Sequence, residues 1–332
     1  MWYASRDMLI YAGIDEAGYG PMLGPFVVSR AIFALDGHDG DTDPPCLWKK
    51  LKKAVCRQIK DRRRRIAVND SKKLYTPAAG LTQLERGVLA FAHLAGYSAA
   101  TLDQLLAAFC DDDESRVPDQ LWYADEAGGP AVPHDATAGQ VSIAAATLRR
   151  CAEAEGFAVR NINAAIIYEK RFNELCESDQ SKAVCAWRYV SRHMRYVWDH
   201  YGEHHPRVVV DRQGGRKVYH GLIQELLPAA SVRLQDESDD ISRYYIEEGG
   251  RRMTVSFEVE SEQRHMPVAV ASMTAKYLRE LLMTRFNHFF LQHAPELRPT
   301  AGYYGDGRRF IQEIEPVIAA LGIDRHSLIR VR

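Results

Sequence analysis

Tyr11-Ala12-Gly13-Ile14-Asp15-Glu16-Ala17-Gly18-Tyr19-Gly20-Pro21 is the stretch from which the rest of the chain can be read. It ends the apolar run Met8–Ile14 with two adjacent acids and passes into a glycine-rich turn. Pro25 to Leu35 (PFVVSRAIFAL) is a second, β-branched run, so the pattern predicts strand, turn, strand. Side chains on a strand alternate faces, which drives one of Asp15 and Glu16 toward the core. A buried, unpaired carboxylate is costly, and a divalent cation with oxygen ligands removes that cost. A strand end at which both acids meet only water is the plainer alternative.

Other acids stand at comparable places. Arg207-Val208-Val209-Val210-Asp211 reads as a buried strand closed by an acid and followed by Gly214-Gly215. Glu260 and Glu262 lie in the stretch Phe257–Glu262, just before a predicted amphipathic helix that starts near Pro267 and carries Val268, Ala271, Ala275, Leu278 and Leu282. If the strands are neighbours, their terminal acids gather in one place and raise one another's pKa unless cations sit among them. That is the logic of a two-metal phosphodiester site. Phe310, Ile314, Val317 and Leu321 repeat the helical rhythm, with Gly322 as a stop. Between Thr76 and Pro206 the pattern is mostly helical, over Leu81–Leu94, Leu102–Phe109, Val141–Glu155 and Ser181–Tyr201. Cys110 to Gly139, acidic and rich in Pro and Gly, reads as an exposed loop.

Composition narrows the class. With 332 residues, 46% hydrophobic and 26% charged, the chain fits a globular α/β protein and excludes disordered, collagenous and coiled-coil classes. It carries 43 Lys and Arg against 44 Asp and Glu, so no global basic field draws it to a polyanion and nucleic-acid binding has to be local. Lys49, Lys50, Lys52, Lys53, Arg57, Lys60 and Arg62 to Arg65 crowd into one segment whose only acid is Asp61. Such a strip can neutralise several phosphates, or it is a solvated helix face running into a loop. No apolar run is long enough to span a bilayer or serve as a signal peptide, so a cytoplasmic protein without membrane partners is expected. Cys46, Cys56, Cys110, Cys151, Cys176 and Cys185 lack zinc-site spacing and read as reduced thiols.

Together these motifs are recognisable. Tyr11–Pro21 with its continuation to Val28 resembles the signature of type 2 ribonucleases H, the ribonuclease HII and HIII enzymes. Asn69-Asp70-Ser71-Lys72-Lys73-Leu74 resembles the family's second motif, and Val208–Asp211 the strand of its third acid. Met266–Lys276 is similar to its small-residue helix, and Ala301–Asp306 to its tyrosine-bearing segment. The resemblance implies a ribonuclease H-like fold, a mixed five-stranded sheet flanked by helices. It implies one catalytic domain over residues 1–332, with a helical insertion at about 96–160.

It also implies a monomeric endonuclease that cuts the RNA strand of RNA/DNA hybrids or ribonucleotide-containing duplexes, using Mg²⁺ or Mn²⁺ and leaving 3′-hydroxyl and 5′-phosphate ends. Asp15, Glu16, Asp211 and Glu262 would be catalytic and hold the metals, with Glu260 the near alternative to Glu262. Gly18, Tyr19 and Gly20 would approach the ribose, Ser71, Lys72 and Lys73 would contact phosphate, and Tyr303 would stack on a sugar. Tyr19 stands where the family has arginine, and Glu260 where it often has lysine. A different nucleic-acid substrate, or binding without cleavage, therefore remains open. His265, beside the fourth acid, reads as structural, with help in product release as the alternative.

Overall fold

The structure is a computed structural model that describes residues 8–61, 64–76, 78–116, 119–124, 129–179, 181–212 and 216–331. β1 (Met8–Ala17) and β2 (Phe26–Asp36) pair antiparallel from Met8 opposite Asp36 to Ala17 opposite Val27. β2 also pairs with antiparallel β5 (Phe157–Ile167). On its other side β1 takes β6 (Arg207–Asp211) as a parallel partner, and β6 takes parallel β9 (Arg251–Glu258). These five strands are the mixed sheet that the resemblance implies. β8 (Ile241–Glu248) and β7 (Ser231–Glu237) extend it antiparallel to the order β5-β2-β1-β6-β9-β8-β7. β3 (Val55–Cys56) and β4 (Ile66–Ala67) form a separate parallel pair.

Helices cover both faces. α1 (Leu47–Lys50) and α2 (Ser71–Leu74) flank the small pair, and α3 (Thr82–Leu94), α4 (Leu102–Phe109), α5 (Asp113–Arg116) and α6 (Ala138–Ala154) precede β5. After β5 come α7 (Glu169–Asp179), α8 (Lys182–Tyr201) and, beyond β6, α9 (His220–Leu226). The long α10 (Met266–His293) is followed by α11 (Tyr304–Glu313), α12 (Glu315–Leu321) and α13 (Arg325–Leu328). The period of two in β1 and β2 sorts their side chains. Leu9, Tyr11, Val27, Ala31 and Phe33 join the layer of α3, α6 and α10, while Ile10, Ala12, Ile14, Phe26 and Val28 join that of α7 to α9.

Several expectations change. The mostly helical reading of residues 76–206 overlooked β5. Phe157 to Ile167 runs beside β2 as an edge strand of the sheet, and its Val, Ile and Ala residues answer to packing on that strand. Cys110–Gly139 is not an exposed loop throughout, because Trp122 and Tyr123 form a buried turn against Phe286 and Phe290 of α10. With α3 packed against it, α10 is buried all round from Met266 to Ala275 instead of amphipathic. The last predicted helix is two, since Pro316 cannot donate to a continuing helix and instead sits in the first turn of α12. Gly322, at φ +61°, stops it as expected.

Candidate active site

Because β1, β6 and β9 are parallel, their C-terminal ends lie side by side, and the acids there are Asp15, Asp211 and Glu258. The first turn of α10 rests directly on β1: a Cβ at Gly13 would lie 2.1 Å from the Val268 amide nitrogen, so only glycine permits the approach. This seating brings Ser272 onto the Asp15 carboxyl. The Ser272 and Ser71 hydroxyls are hydrogen-bonded at 3.1 Å, and the Glu16 amide donates to Asp15 Oδ1 at 2.7 Å. Burial, then the charges of Asp211 and Glu16, hold the Asp15 pKa well above the usual carboxylate range. Glu16 itself is half-buried, and its charge reaches Asp15.

Asp211 accepts from the Ser261 amide at 3.1 Å and from its hydroxyl at 2.9 Å. Burial nevertheless raises its pKa, against those bonds and the nearby positive charge of Lys72. Glu262 sits in the short turn Ser261–Gln263 and shares a hydrogen bond with Asp211. Burial, with the charges of Asp211 and Asp70, pushes it up to about 7. Glu260 adopts a left-handed conformation at φ +48°, is exposed, and accepts from Gln263 at 2.8 Å. Of the two alternatives, the turn therefore carries Glu262 into the acid group and leaves Glu260 outside it.

Among the described residues, no three acid, histidine or cysteine side chains already stand as a ligand shell. Asp211 and Glu262 instead pair with each other. The donor set does suit a hard divalent cation: every group is a carboxylate oxygen, and Asp15 and Glu262 are held at raised pKa partly by neighbouring carboxylate charge, which a cation among them relieves.

The glycine-rich turn is built for shape. Gly18 has φ +83°, and a Cβ there would lie 2.5 Å from the Pro25 carbonyl oxygen and 2.6 Å from Arg279 Nε. At Gly20 a Cβ would meet open space. The Tyr19 ring packs edge-on against Phe26 at 5.8 Å and is 38% exposed. Buried Arg330 donates to the Gly18 carbonyl and, at 3.0 Å, to that of Tyr19, while its guanidinium lies 3.9 Å from the Phe172 ring centre. Glu169, pushed up to about 7 by burial, accepts from the Gly24 amide at 2.9 Å. Arg279 bonds the carbonyls of Leu23 and Ala301 at 3.2 and 3.1 Å, and the Met22 amide donates to Gly302 at 2.9 Å. The turn and the segment that presents exposed Tyr303 are thereby joined.

Lys72 and Lys73 are exposed on α2, whose first turn is capped by Asp70 accepting from the Lys72 amide at 2.9 Å. Ser71 differs from expectation. It is buried, because its hydroxyl is committed to Ser272 and through it to Asp15, so it serves the acid group and does not face solvent. The basic strip is not a helix face: after α1 it runs through β3 and irregular chain, with Lys49, Lys52, Lys53, Arg57, Lys60 and Arg64 exposed. Arg57 stacks on Trp48 at 3.8 Å and donates to the Gln263 carbonyl, which ties the strip to the turn that carries Glu262. Arg65 pairs with Asp61 at 2.8 Å, and Arg62, Arg63, Gly214 and Gly215 lie outside the described residues. His265 is fixed between the Tyr11 hydroxyl and Glu258 Oε2, the latter at 2.9 Å, which is a structural role. Sequence reasoning missed Ser261, Ser272, Glu169 and Arg330. Ser272 could have been found, being a polar residue in an otherwise apolar helix start; nothing near Arg330 in sequence points to the turn.

No family model and no curated protein matches the chain. Among solved structures it is similar to ribonuclease HII of Archaeoglobus fulgidus in complex with PCNA, at 16% identity over 98% of this chain and 95% of that one, with a TM-score of 0.42. It is similar to Bst-RNase HIII in complex with Mn²⁺ at 14% identity over 97% of this chain and 66% of that one, TM-score 0.43. With ribonuclease H2 of Pyrococcus horikoshii OT3 the values are 15%, 96%, 92% and 0.41. The chain itself is a mixed α/β protein, a seven-stranded sheet with helices on both faces.

Proposed function

We propose that the chain is a divalent-metal-dependent endonuclease, working as one catalytic domain, that hydrolyses the RNA strand of RNA/DNA hybrids or ribonucleotide-containing duplexes and leaves 3′-hydroxyl and 5′-phosphate ends. The observation that carries the reading is the gathering of Asp15, Asp211 and Glu262 at the ends of two parallel strands and the adjoining turn, where burial raises the pKa of all three and neighbouring carboxylate charge adds to it for Asp15 and Glu262. A fold bears that cost where a cation is to be held. Mg²⁺ or Mn²⁺ would be held by Asp15, Glu16, Asp211 and Glu262, and when bound would supply Lewis acidity toward a phosphodiester. The chain's own groups do the rest. Ser272 and the Glu16 amide orient Asp15, and Ser261 orients Asp211. Lys72 and Lys73 offer charge to the backbone, Gly18 to Gly20 bring main chain close to a ribose, and Tyr303 offers a ring to a sugar.

Asp15→Asn should abolish cleavage of a labelled hybrid in Mg²⁺ or Mn²⁺ while circular dichroism stays unchanged, and a variant that cuts at the wild-type rate would sink the assignment. A second reading keeps fold and metal but changes the substrate, and the exposed Tyr19 ring in place of an arginine favours it. Cleavage-site mapping on continuous hybrid, single-ribonucleotide duplex, double-stranded RNA and DNA separates the two.

A further inference from the structure

On the face of the sheet that bears Asp15, α10 packs over β1 and β2, and a groove of about 330 Å³ lies open over β6, β9 and β8. The registers put Arg207, Val209 and Asp211 of β6, Ser256 and Glu258 of β9, and Arg243 of β8 on this one face. Three guanidinium groups line it. Arg207 is largely buried and bonds Asp43 at 3.0 Å. Arg264 at the upper end bonds Glu258 at 3.0 Å, and His265 occupies the same Glu258 oxygen at 2.9 Å. Arg243 uses only Nε, on Ser256 Oγ at 3.1 Å; its two terminal nitrogens have no partner among the described residues. Asp236, its cross-strand neighbour on β7, is exposed and makes no ion pair with it. Burial, and next the charge of Arg243, lowers the pKa of Arg207. The two acids of the groove are thus taken up by Arg207 and by Arg264 with His265, and Arg207 also bonds the Gly40 carbonyl at 3.2 Å, which leaves Arg243 with terminal nitrogens turned to a groove holding three arginines and two acids, a setting for an anion.

Position identifies which anion. Glu258 is the direct strand neighbour of Asp211, and Arg264 follows Glu262 by two residues, so the groove opens beside the acid group. Arg207 stands four residues before Asp211 on the same strand, and Arg243 stands two strands across and level with Val209, so each lies roughly 12–13 Å from Asp211 along the sheet. We propose that Arg243, beside Arg207 and with Arg264 at the mouth, forms a second phosphate site that holds a backbone phosphate of the bound nucleic acid away from the cleavage point. The site rests on the nuclease reading above and lies partly on β8, outside the five-stranded core.

The test is Arg243→Gln in the full chain, with hybrid cleavage followed across a salt series. KM should rise about tenfold with kcat within about twofold, and the slope of log(kcat/KM) against log salt should flatten by about 0.9, the value of one phosphate contact. Arg243→Lys should restore most of the slope. Calorimetry with inorganic phosphate forms a separate arm: phosphate bound by wild type and lost in Arg243→Gln, with cleavage kinetics unmoved, would make this a free-anion site and overturn the proposal. Unchanged KM and slope in a variant that still cuts hybrids overturn the groove alone. A wild-type chain that neither binds nor cuts nucleic acid overturns the nuclease reading together with it.

Discussion

Arg330 donates to the main-chain oxygen of Tyr19 at 3.0 Å, so a residue from the far end of the described chain sets the shape of the turn that follows the first two acids. Replacing it with alanine removes charge-assisted bonds to Gly18 and Tyr19 and leaves their carbonyls without that donor. Arg330→Ala should cost about 2–4 kcal/mol in urea denaturation. Arg330→Lys should recover only part, since a point charge cannot bond both carbonyls in the guanidinium geometry. A loss under about 0.5 kcal/mol would remove the clamp from the account.

The two glycines of the turn should separate. Gly18→Ala meets both a left-handed backbone and contacts of 2.5–2.6 Å, and should destabilise the chain by roughly 1–3 kcal/mol. Gly20→Ala meets no atom within 4 Å. It should leave the melting temperature unmoved and, if a ribose comes close to this main chain, raise KM for hybrid substrate.

Glu262→Gln should lower kcat by more than about 100-fold, beyond the loss typical of residues that merely support a ligand. Glu260→Gln, outside the acid group, should stay within about threefold. Steady-state rates in Mg²⁺ decide it, and a reversed order would reinstate Glu260 as the fourth acid.

The acid group also predicts a pH dependence. Asp15, Asp211 and Glu262 keep protons more tightly folded than unfolded. Between about pH 4, where free carboxylates titrate, and about 7 for Glu262, the folded chain therefore binds more protons, and its stability falls as pH rises. His193 and His205, whose charged forms burial disfavours, act in the opposite sense below about pH 6.5. The useful measurement is thus a difference. In EDTA, the urea midpoint of Asp15→Asn should exceed that of wild type by more at pH 7.5 than at pH 5, and Mg²⁺ should shrink the gap. A gap independent of pH and metal would argue against crowded charge.

Much of this site was legible because its parts are local in sequence. An apolar run ended by Asp15-Glu16 and another ended by Asp211 need only strand alternation to be read, and Gly322 ends its helix where a glycine should. What was not legible depends on distant partners. β5, between two expected helices, went unread because its pattern answers to β2, more than a hundred residues earlier. Glu258, Glu260 and Glu262 look equivalent in a row; a left-handed residue at 260 and the bonds of His265 and Arg264 to Glu258 tell them apart. Ser71 reads as a surface residue until Ser272 is placed against it.

β1 has one further consequence, in time. It carries Asp15 and Glu16, its antiparallel partner follows at once, but its parallel partner starts at Arg207 and the clamp on its turn is Arg330. A chain leaving the ribosome thus completes a hairpin with one acidic, unpaired edge long before the opposite half of the site exists, and contacts of such sequence separation form late. The acid group is therefore assembled late, and the glycine-rich turn beside it is clamped only once synthesis has run past residue 330.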